Sequence, residues 1–466
     1  MNMSSAFFRA SIAAACVAAA IGGPSAGSPR AVAAPLLVAA SEAGLPALTA
    51  TDPTVMRSRY TAINFDVLPG PNDRRMLREP PVILELFEGV TIIAVFDRYD
   101  SNSTGVTWVG HVEDVPMSTV TLVYSQGLMT GSVVMPQAIY QIRPAPDQPE
   151  RGSTNSALHV VSQIDQSAFL PEAPPIEVSP SDAERVAADT APMKDSADTI
   201  SLMVLYTPRA AAAAGGQTGI TNLINLGISE TNTSYANSGV APRIRLVHAA
   251  QVDYVESNDF STNLNNLRSG VGTLGGVAAL RDATRADLVT MLVRPASPNA
   301  CGIAFLMAAV TPAFASSAYS VTDTTCVSPN YSFAHELGHN MGARHDWYVD
   351  GSVTPYSYAH GYVNPEAGHR WRTIMAYPDM CQAMGFSCTR ILFWANPDKQ
   401  YVPYCERGAN CSGLQSWFYR GGAMGIAGGT RSGCRPGITT NANCDADDSR
   451  ALNNTALTVA NFRQGG

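Results

Sequence analysis

Three histidines and a glutamate in the segment 335–346, which reads HELGHNMGARHD, have the residue types and the spacing of a metal site. On a helix, His335 and His339 share one face, with their Cβ atoms about 5–6 Å apart. That separation lets both imidazoles bind one Zn²⁺ at about 2.0–2.1 Å. Glu336 is next to them on the helix and can reach a water at the metal without binding the metal itself. The pattern therefore predicts a metal site with a general base beside it.

Gly342 and His345 complete the pattern. Gly342 permits a positive φ, so the helix can end there and the chain can turn back. His345 then arrives as a third ligand, and three protein ligands leave the fourth position open, as in catalytic zinc sites. The alternative is a hydrogen-bonded histidine cluster in the core. It is disfavoured because three of the eight histidines fall at ligand spacing, and these five fixed positions arise by chance about 10⁻⁵ times per chain.

This segment resembles the signature of the metzincin metalloproteases, H-E-x-x-H-x-x-G-x-x-H followed by a methionine turn. The candidate turn is TIMAY at 373–377. The resemblance implies that Met375 lies beneath the zinc ligands and that Tyr377 approaches the metal or the transition-state oxyanion. An ordinary core role is the alternative for Met375. Asp346, directly after the third histidine, is typical of the reprolysin-like members.

The sequence is also similar to the bacterial peptidyl-Asp metallopeptidases over residues 200–463. The shared stretches read HELGHNMGARHDWYVD, YAHGY, WRTIMAY, CQAMGFSC, FWANP and SRALNNTALTVANFR. The resemblance implies a zinc endopeptidase that cleaves on the N-terminal side of acidic residues, chiefly Asp. Such a preference requires a positive charge in the substrate pocket. Arg370, Arg372 and Arg390 are the candidates, with surface or structural roles as the alternative for each.

Other polar residues have weaker claims to a function. His360 and His369 could extend the metal shell, although structural roles are better expected. Asp445, Asp447 and Asp448 could form a calcium loop, but helix capping explains them better. The expected cofactor is therefore one Zn²⁺ per chain, and Ca²⁺ has no support. An extended substrate is expected to lie along an edge strand, for which the candidate is the run CGIAFLM at 301–307.

The elements that must position this site follow from an alternating pattern after residue 200. The runs SLMVLY at 201–206 and DLVTMLV at 287–293 predict buried strands, and 243–248 predicts another. Helical spacing over 220–234 and 263–267 separates them, and a last helix is expected over 448–462. The predicted fold class is an α/β metzincin-like catalytic domain with a mixed sheet, an active-site helix and a methionine turn. A small β-rich propeptide domain is expected to precede it.

The first part of the chain shows a different organisation. Residues 1–33 have the layout of a secretory signal peptide, and their apolar run is too short for a stable membrane span. Residues 34–195 are interpreted as a propeptide: 36–59 as a loose lead-in, 60–143 as an antiparallel β unit, and 144–198 as a linker with little core. Residues 196–466 form the predicted catalytic domain. The protein is therefore expected to be secreted, with protein or peptide substrates and its own propeptide as partners.

Eight cysteines in the C-terminal half, behind an export signal, indicate disulfides. Short spacing suggests the pairs 301–326, 381–388, 405–411 and 434–444, although sequence cannot select among the pairings. No cysteine lies between Cys16 and Cys301. A cysteine that blocks the zinc is thus unavailable to the propeptide, and a carboxylate or steric block must serve.

Composition limits the remaining function classes. Lys plus Arg number 30 and Asp plus Glu 38, a net charge of −8 that argues against a nucleic-acid binder with a basic face. Residues 34–195 hold 10 basic and 20 acidic residues, whereas 196–466 hold 18 of each. Two alternatives stay open: a metzincin endopeptidase of broad specificity without an Asp preference, and a non-enzymatic secreted adhesion or binding protein that uses 60–143. A monomer is expected.

Overall fold

The computed structural model describes most of the chain, in the ranges 34–40, 48, 52–68, 80–102, 104–136, 138–145, 157–178, 195–366, 370–402, 422–429, 433–439 and 444–465. The predicted signal peptide, His369 and the predicted 405–411 disulfide lie outside these residues. Among the helices described, none is long and apolar enough to cross a membrane.

The N-terminal part is an antiparallel sheet of nine strands that closes on itself. A bridge between Pro35 and Ile83 joins its two ends, next to β1 and β3. Apolar side chains, mainly Leu, Ile and Val together with the buried Trp108, fill the interior. The strands, in spatial order, are β1 (Leu37–Ala39), β2 (Val55–Ile63), β9 (Leu158–Ile164), β8 (Ala138–Pro144), β7 (Leu128–Met135), β6 (Thr119–Ser125), β5 (Gly105–Val112), β4 (Val90–Asn102) and β3 (Val82–Phe87).

The expectation of an antiparallel unit over 60–143 is correct, but its limits are too narrow. The predicted lead-in at 36–59 supplies β1 and much of β2, and the predicted linker at 144–198 supplies β9. β9 pairs with both β2 and β8, so this barrel cannot close without it. Its sequence, LHVVSQI, has four apolar residues among seven, but it is short and lies between polar flanks in a stretch rich in Pro, Ala and Ser, which hid it.

The C-terminal part is built on a mixed sheet covered by helices. β11 and β13 are buried on both faces, which explains their continuous apolar sequences. β14 runs antiparallel to β15, while the other long neighbours are parallel. The strands, in spatial order, are β10 (Ile176–Glu177), β14 (Gly302–Leu306), β15 (Tyr319–Asp323), β13 (Leu288–Val293), β11 (Thr199–Tyr206) and β12 (Arg243–Gln251).

The helices carry the site and bury the faces of this sheet. Asp447 caps the last helix by accepting a hydrogen bond from Arg450 N, as expected. The helices are α1 (Pro208–Ala213), α2 (Gly216–Ser238), α3 (Phe260–Ser269), α4 (Val277–Thr284), α5 (Ser332–Asn340), α6 (Asp379–Ala383) and α7 (Asp448–Val459), with 3₁₀ turns at Phe65–Val67, Gln166–Ala168, Gly272–Leu274 and Pro312–Ser317.

Small sheets and disulfides hold the segments after α5. Three of the four suggested disulfides are present: Cys301–Cys326, Cys381–Cys388 and Cys434–Cys444. The first one joins the start of β14 to the loop before α5. The remaining strands are β16 (Val363–Asn364), β17 (Trp371–Arg372), β18 (Thr389–Arg390), β19 (Asn396–Gln400) and β20 (Ala423–Met424).

The barrel contacts the C-terminal part mainly through helix α2, and polar side chains make many of these contacts. Ser125 Oγ donates to Asn222 Oδ1 at 2.7 Å, and Ser132 Oγ donates to Glu230 Oε1 at 2.6 Å. Ser229 Oγ donates to Asp100 Oδ2 at 2.9 Å. Hydrogen-bonded contacts of this kind are typical of surfaces that can separate and be solvated.

Glu230 makes this interface sensitive to pH. Burial raises its pKa from 4.5 to about 7, although hydrogen bonds from Ser132 and Ser328 oppose the shift. The folded state therefore binds more protons than the unfolded state between pH 4.5 and 7. The free energy of unfolding should fall by up to about 3 kcal/mol as pH rises through this window.

Glu230→Gln should remove this fall in the free energy of unfolding with rising pH. We expect the variant to gain stability relative to wild type between pH 5 and pH 7.5, measured as the difference between their unfolding midpoints at each pH. Glu85→Gln, at an exposed barrel position, is the control and should follow wild type. A midpoint difference that does not change with pH would contradict the assignment.

Candidate metal centre

The three motif histidines meet at one buried point. His335 and His339 lie on α5, and the chain turns at Gly342, whose φ is +87°, to bring His345 back towards them. The Nε2 atom of His345 lies 3.2 Å from that of His335 and 3.0 Å from that of His339. In the described part of the chain, these residues form the one group of three or more His, Cys, Asp or Glu side chains that could hold a metal ion.

Backbone contacts fix how the imidazoles are oriented. His335 Nδ1 lies 2.9 Å from Ile374 O, and His339 Nδ1 lies 2.9 Å from Ala343 O. A carbonyl oxygen only accepts hydrogen bonds, so each Nδ1 carries the proton and each Nε2 presents a lone pair. His360 lies behind the third histidine, with its Nδ1 2.7 Å from His345 O and its Nε2 2.9 Å from Ser352 O. His360 is thus a structural neighbour of the site.

Electrostatics favour metal ligands over protonated histidines. Burial lowers the pKa of His335 to about 4, and burial together with the neighbouring imidazoles lowers those of His339 and His345 well below the usual range. Three neutral nitrogens with converging lone pairs repel one another unless a cation lies between them. The donor set therefore fits a metal that prefers imidazole, such as Zn²⁺.

Glu336 is buried beside this point without a compensating contact. Among the described residues, neither of its carboxylate oxygens has a hydrogen-bond partner. Burial, and secondly the charge of Glu172, raises the pKa of Glu336 well above its usual range. The carboxylate fits because residue 302 is glycine: a Cβ there would lie 2.5 Å from Glu336 Oε1. An unpaired buried carboxylate next to three histidine donors is suited to moving a proton.

The segment after β17, residues 373–377, packs against the histidines of the site. His335 contacts the carbonyl of Ile374, and the next residue, Met375, is fully buried in the main core. Asp346 accepts hydrogen bonds from Tyr377 N at 2.8 Å and Tyr348 N at 3.0 Å, and burial raises its pKa to about 6. The Tyr377 ring centroid lies 4.0 Å from that of His345. Asp346 therefore links the third histidine to the segment that holds Tyr377.

Comparisons with known proteins agree with this geometry. Residues 196–400 match the family described as metallo-peptidase family M12B, reprolysin-like. A peptidyl-Asp metalloendopeptidase from Stenotrophomonas maltophilia is 31% identical over 360 residues, 75% of this chain and 72% of that protein. The chain belongs to the reprolysin-like metallopeptidases.

Further relatives of this metallopeptidase carry the same name. A peptidyl-Asp metalloendopeptidase from Xanthomonas campestris is 30% identical over 68% of this chain and 75% of its own length. Another from Pseudomonas fragi is 33% identical over 37% of this chain and 85% of its own length.

The three candidate arginines of this metallopeptidase occupy different environments. Arg370 is exposed and stacks on Phe386, 3.7 Å from the ring centroid. Arg372 is buried, but its guanidinium donates to the carbonyls of Ala376 and Cys388. Arg390 is buried and binds the carboxylate of Glu172. Among the residues that the structure describes, Arg390 is the one of the three that contacts a carboxylate.

Sequence reasoning missed four residues close to the site. Gly302 makes room for Glu336, and Glu172, Asn330 and Ser332 surround Arg390. Asn330 precedes the histidine helix and Ser332 begins it, so both could have been suspected from their positions. Glu172 had no such signal, because it lies within the segment predicted to be a linker.

If the three histidines hold the metal, His339→Ala should abolish its binding. Wild type should hold one zinc per chain and His339→Ala less than a tenth of that, measured by elemental analysis after dialysis. Because bound metal stabilises the folded state, a chelator should lower the wild-type unfolding temperature and leave that of the variant unchanged. His111→Ala, on the exposed barrel surface, should behave as wild type. Full zinc content in His339→Ala would contradict the ligand assignment.

Proposed function

We propose that this metallopeptidase is a secreted zinc endopeptidase that hydrolyses peptide bonds on the N-terminal side of Asp. The observation that carries the proposal is the convergence of three imidazole Nε2 atoms beside the unpartnered carboxylate of Glu336. The names of the relatives support the preference for Asp.

In this proposal, His335, His339 and His345 hold one Zn²⁺ and Glu336 manages the protons. When bound, the ion polarises the scissile carbonyl and acidifies the attacking water. Glu336 accepts a proton from that water and passes it to the leaving amine nitrogen. The hydroxyl is added to the carbonyl carbon, the C–N bond breaks, and one water is consumed. The buried position of Glu336 suits this exchange because burial favours the protonated carboxyl needed in the second half.

Tyr377 is proposed to stabilise the transition state, and Met375 to support the histidines from below. Burial raises the pKa of Tyr377 well above its usual range, so its hydroxyl stays a hydrogen-bond donor at neutral pH. A donor beside the zinc ligands can stabilise the developing oxyanion. Asp346 keeps this donor in position through the backbone of residue 377.

The chain is further proposed to be made as a precursor with a signal peptide at 1–33, a propeptide at 34–195 and a catalytic domain at 196–466. Disulfides in the described part of 196–466 fit an oxidising compartment. The polar contacts of helix α2 with the barrel fit two units that later separate. The active enzyme is proposed to be a monomer.

Glu336→Gln tests the assigned base. The amide cannot accept the proton, so the rate on peptide substrates should fall by about 10²–10⁴, whereas zinc content should stay at one per chain. Initial rates with a quenched fluorescent peptide and elemental analysis measure the two quantities. Wild-type turnover in this variant would overturn the mechanism.

Cleavage mapping tests the specificity. When the protein digests a denatured mixture of proteins, mass spectrometry of the new N termini should find Asp first in the large majority. A broad-specificity metallopeptidase would instead give varied residues at that position. Absence of any cleavage would favour a non-enzymatic binding role for the chain.

A further inference from the structure

We propose that Arg390, Asn330 and Ser332 form the pocket for the acidic substrate side chain, and that Glu172 fills this pocket in the intact chain. The segment that carries Glu172, residues 166–177, is called the strap below. The proposal rests on the proposed endopeptidase function and deepens it, because it names the specificity-determining residue and a substrate-like inhibitor of the same site.

The strap covers the free edge of β14. Cys301 N donates to Pro171 O at 3.0 Å, and Ala173 N donates to Gly302 O at 2.8 Å. Further on, Ile176 and Glu177 form β10 and pair in parallel with β14. Without the strap, β14 would be the edge strand of the sheet and could bind an extended peptide by the same type of backbone hydrogen bond. The strap therefore occupies the path expected for a substrate.

The side chain of Glu172 enters a pocket built for a carboxylate. Arg390 Nη1 and Nη2 contact Glu172 Oε1 and Oε2 at 2.5 and 2.9 Å, and Ser332 Oγ donates to Oε1 at 2.6 Å. The side chains of both charged residues are 1% exposed. A bidentate guanidinium contact of this type distinguishes a carboxylate from an amide of the same shape.

Arg390 has further contacts with both the pocket and the strap. Arg390 Nη1 also donates to Asn330 O at 2.8 Å. Gln166, at the start of the strap, accepts from Arg390 N at 2.5 Å and donates to Pro329 O at 2.9 Å. The second buried arginine, Arg372, uses its guanidinium to bind two backbone carbonyls. Of the two candidate specificity arginines that are buried, Arg390 is thus the one whose charge is directed at the strap.

The position of Glu172 relative to the metal centre resembles that of a substrate residue. Tyr377 Oη donates to the backbone carbonyl of Glu172 at 2.6 Å, and the same tyrosine ring contacts His345. Ser332, which contacts the carboxylate, begins the helix that carries His335 and Glu336. The backbone of Glu172 therefore lies beside the catalytic groups while its side chain is in the pocket. An Asp that follows a scissile bond would likewise place its side chain in the pocket and its backbone beside these groups, but with the carbonyl of the preceding residue, and not its own, at the catalytic centre.

Peptide binding to the full chain tests this assignment independently of turnover. Glu336→Gln serves as the background, since it should neither cleave the probe nor process itself. The probes are two fluorescein-labelled dodecapeptides that differ only in one central residue, Asp or Asn, and binding is followed by fluorescence anisotropy. Adding Glu172→Gln should tighten binding of both peptides at least tenfold, because it opens the same site to each of them, and the Asp peptide should bind at least tenfold more tightly than the Asn peptide.

Two further variants separate the pocket from a general loosening of the strap. Glu177→Gln removes another strap carboxylate, whose ion pair with Arg344 is half-exposed on the glutamate side, and should tighten Asp-peptide binding by less than threefold. Adding Arg390→Gln to Glu172→Gln should abolish the preference for Asp over Asn. Equal tightening by Glu172→Gln and Glu177→Gln, or a preference that survives Arg390→Gln, would overturn the proposal.

One control covers a variant that does not fold, and a separate one covers failure of the proposed function. Should Glu172→Gln fail to fold, Gln166→Ala keeps the ion pair and removes the side-chain contacts of the strap to Arg390 N and Pro329 O; it should tighten Asp-peptide binding several-fold, and no change would count against the strap as the occupant of the pocket. Failure of the proposed function has a different result: neither peptide is cleaved by the Glu172→Gln chain when Glu336 is intact and zinc is bound. In that case, the anisotropy measurements with Arg390→Gln would still show whether Arg390 determines the binding preference for Asp over Asn.

Discussion

The mutual approach of three neutral imidazoles is the constraint on which the rest of this structure depends. Their Nε2 atoms lie 3.0–3.2 Å apart at the closest pairs, in a region without solvent to separate them. Such lone pairs are tolerated only around a cation, so the fold must both create and hold the arrangement. Helix α5 supplies two of the ligands at their helical spacing. The turn at Gly342 supplies the third, and the carbonyls of Ile374 and Ala343 determine which nitrogen faces the centre.

The part of the site that could be predicted from sequence is the part encoded by local spacing. His335, Glu336 and His339 lie within one helical turn or so, and Gly342 and His345 follow at a short fixed distance, so helix geometry and the turn at Gly342 bring them together. The buried strands of the α/β sheet were equally readable, because both of their faces are apolar. The capping role of Asp447 also follows from a local pattern.

The remainder depends on contacts between distant parts of the chain, for which one sequence gives no signal. Glu172 and Arg390 are 218 positions apart, and their pairing requires the barrel, the strap and the segment after β17 to come together. β9 was hidden for a related reason: it is stabilised by neighbours on both sides, β2 and β8, more than by its own short polar-flanked sequence. Gly302 had no signal in the sequence either, because the side chain for which it leaves room, Glu336, is distant along the chain.

The structure changes the interpretation of the acidic charge carried by residues 34–195. Residues 34–195 carry ten more acidic than basic side chains. Spread over the surface, such an excess would act as a diffuse electrostatic shield. Exposed charges act weakly beyond about 8–10 Å at physiological salt, so such a shield would contribute little. Glu172 instead delivers a single carboxylate into a buried site, where screening is small and bidentate geometry adds selectivity. Because burial penalises each charge of this pair when alone, the strap and the pocket stabilise each other, and losing the strap would expose Arg390 and the edge of β14 together.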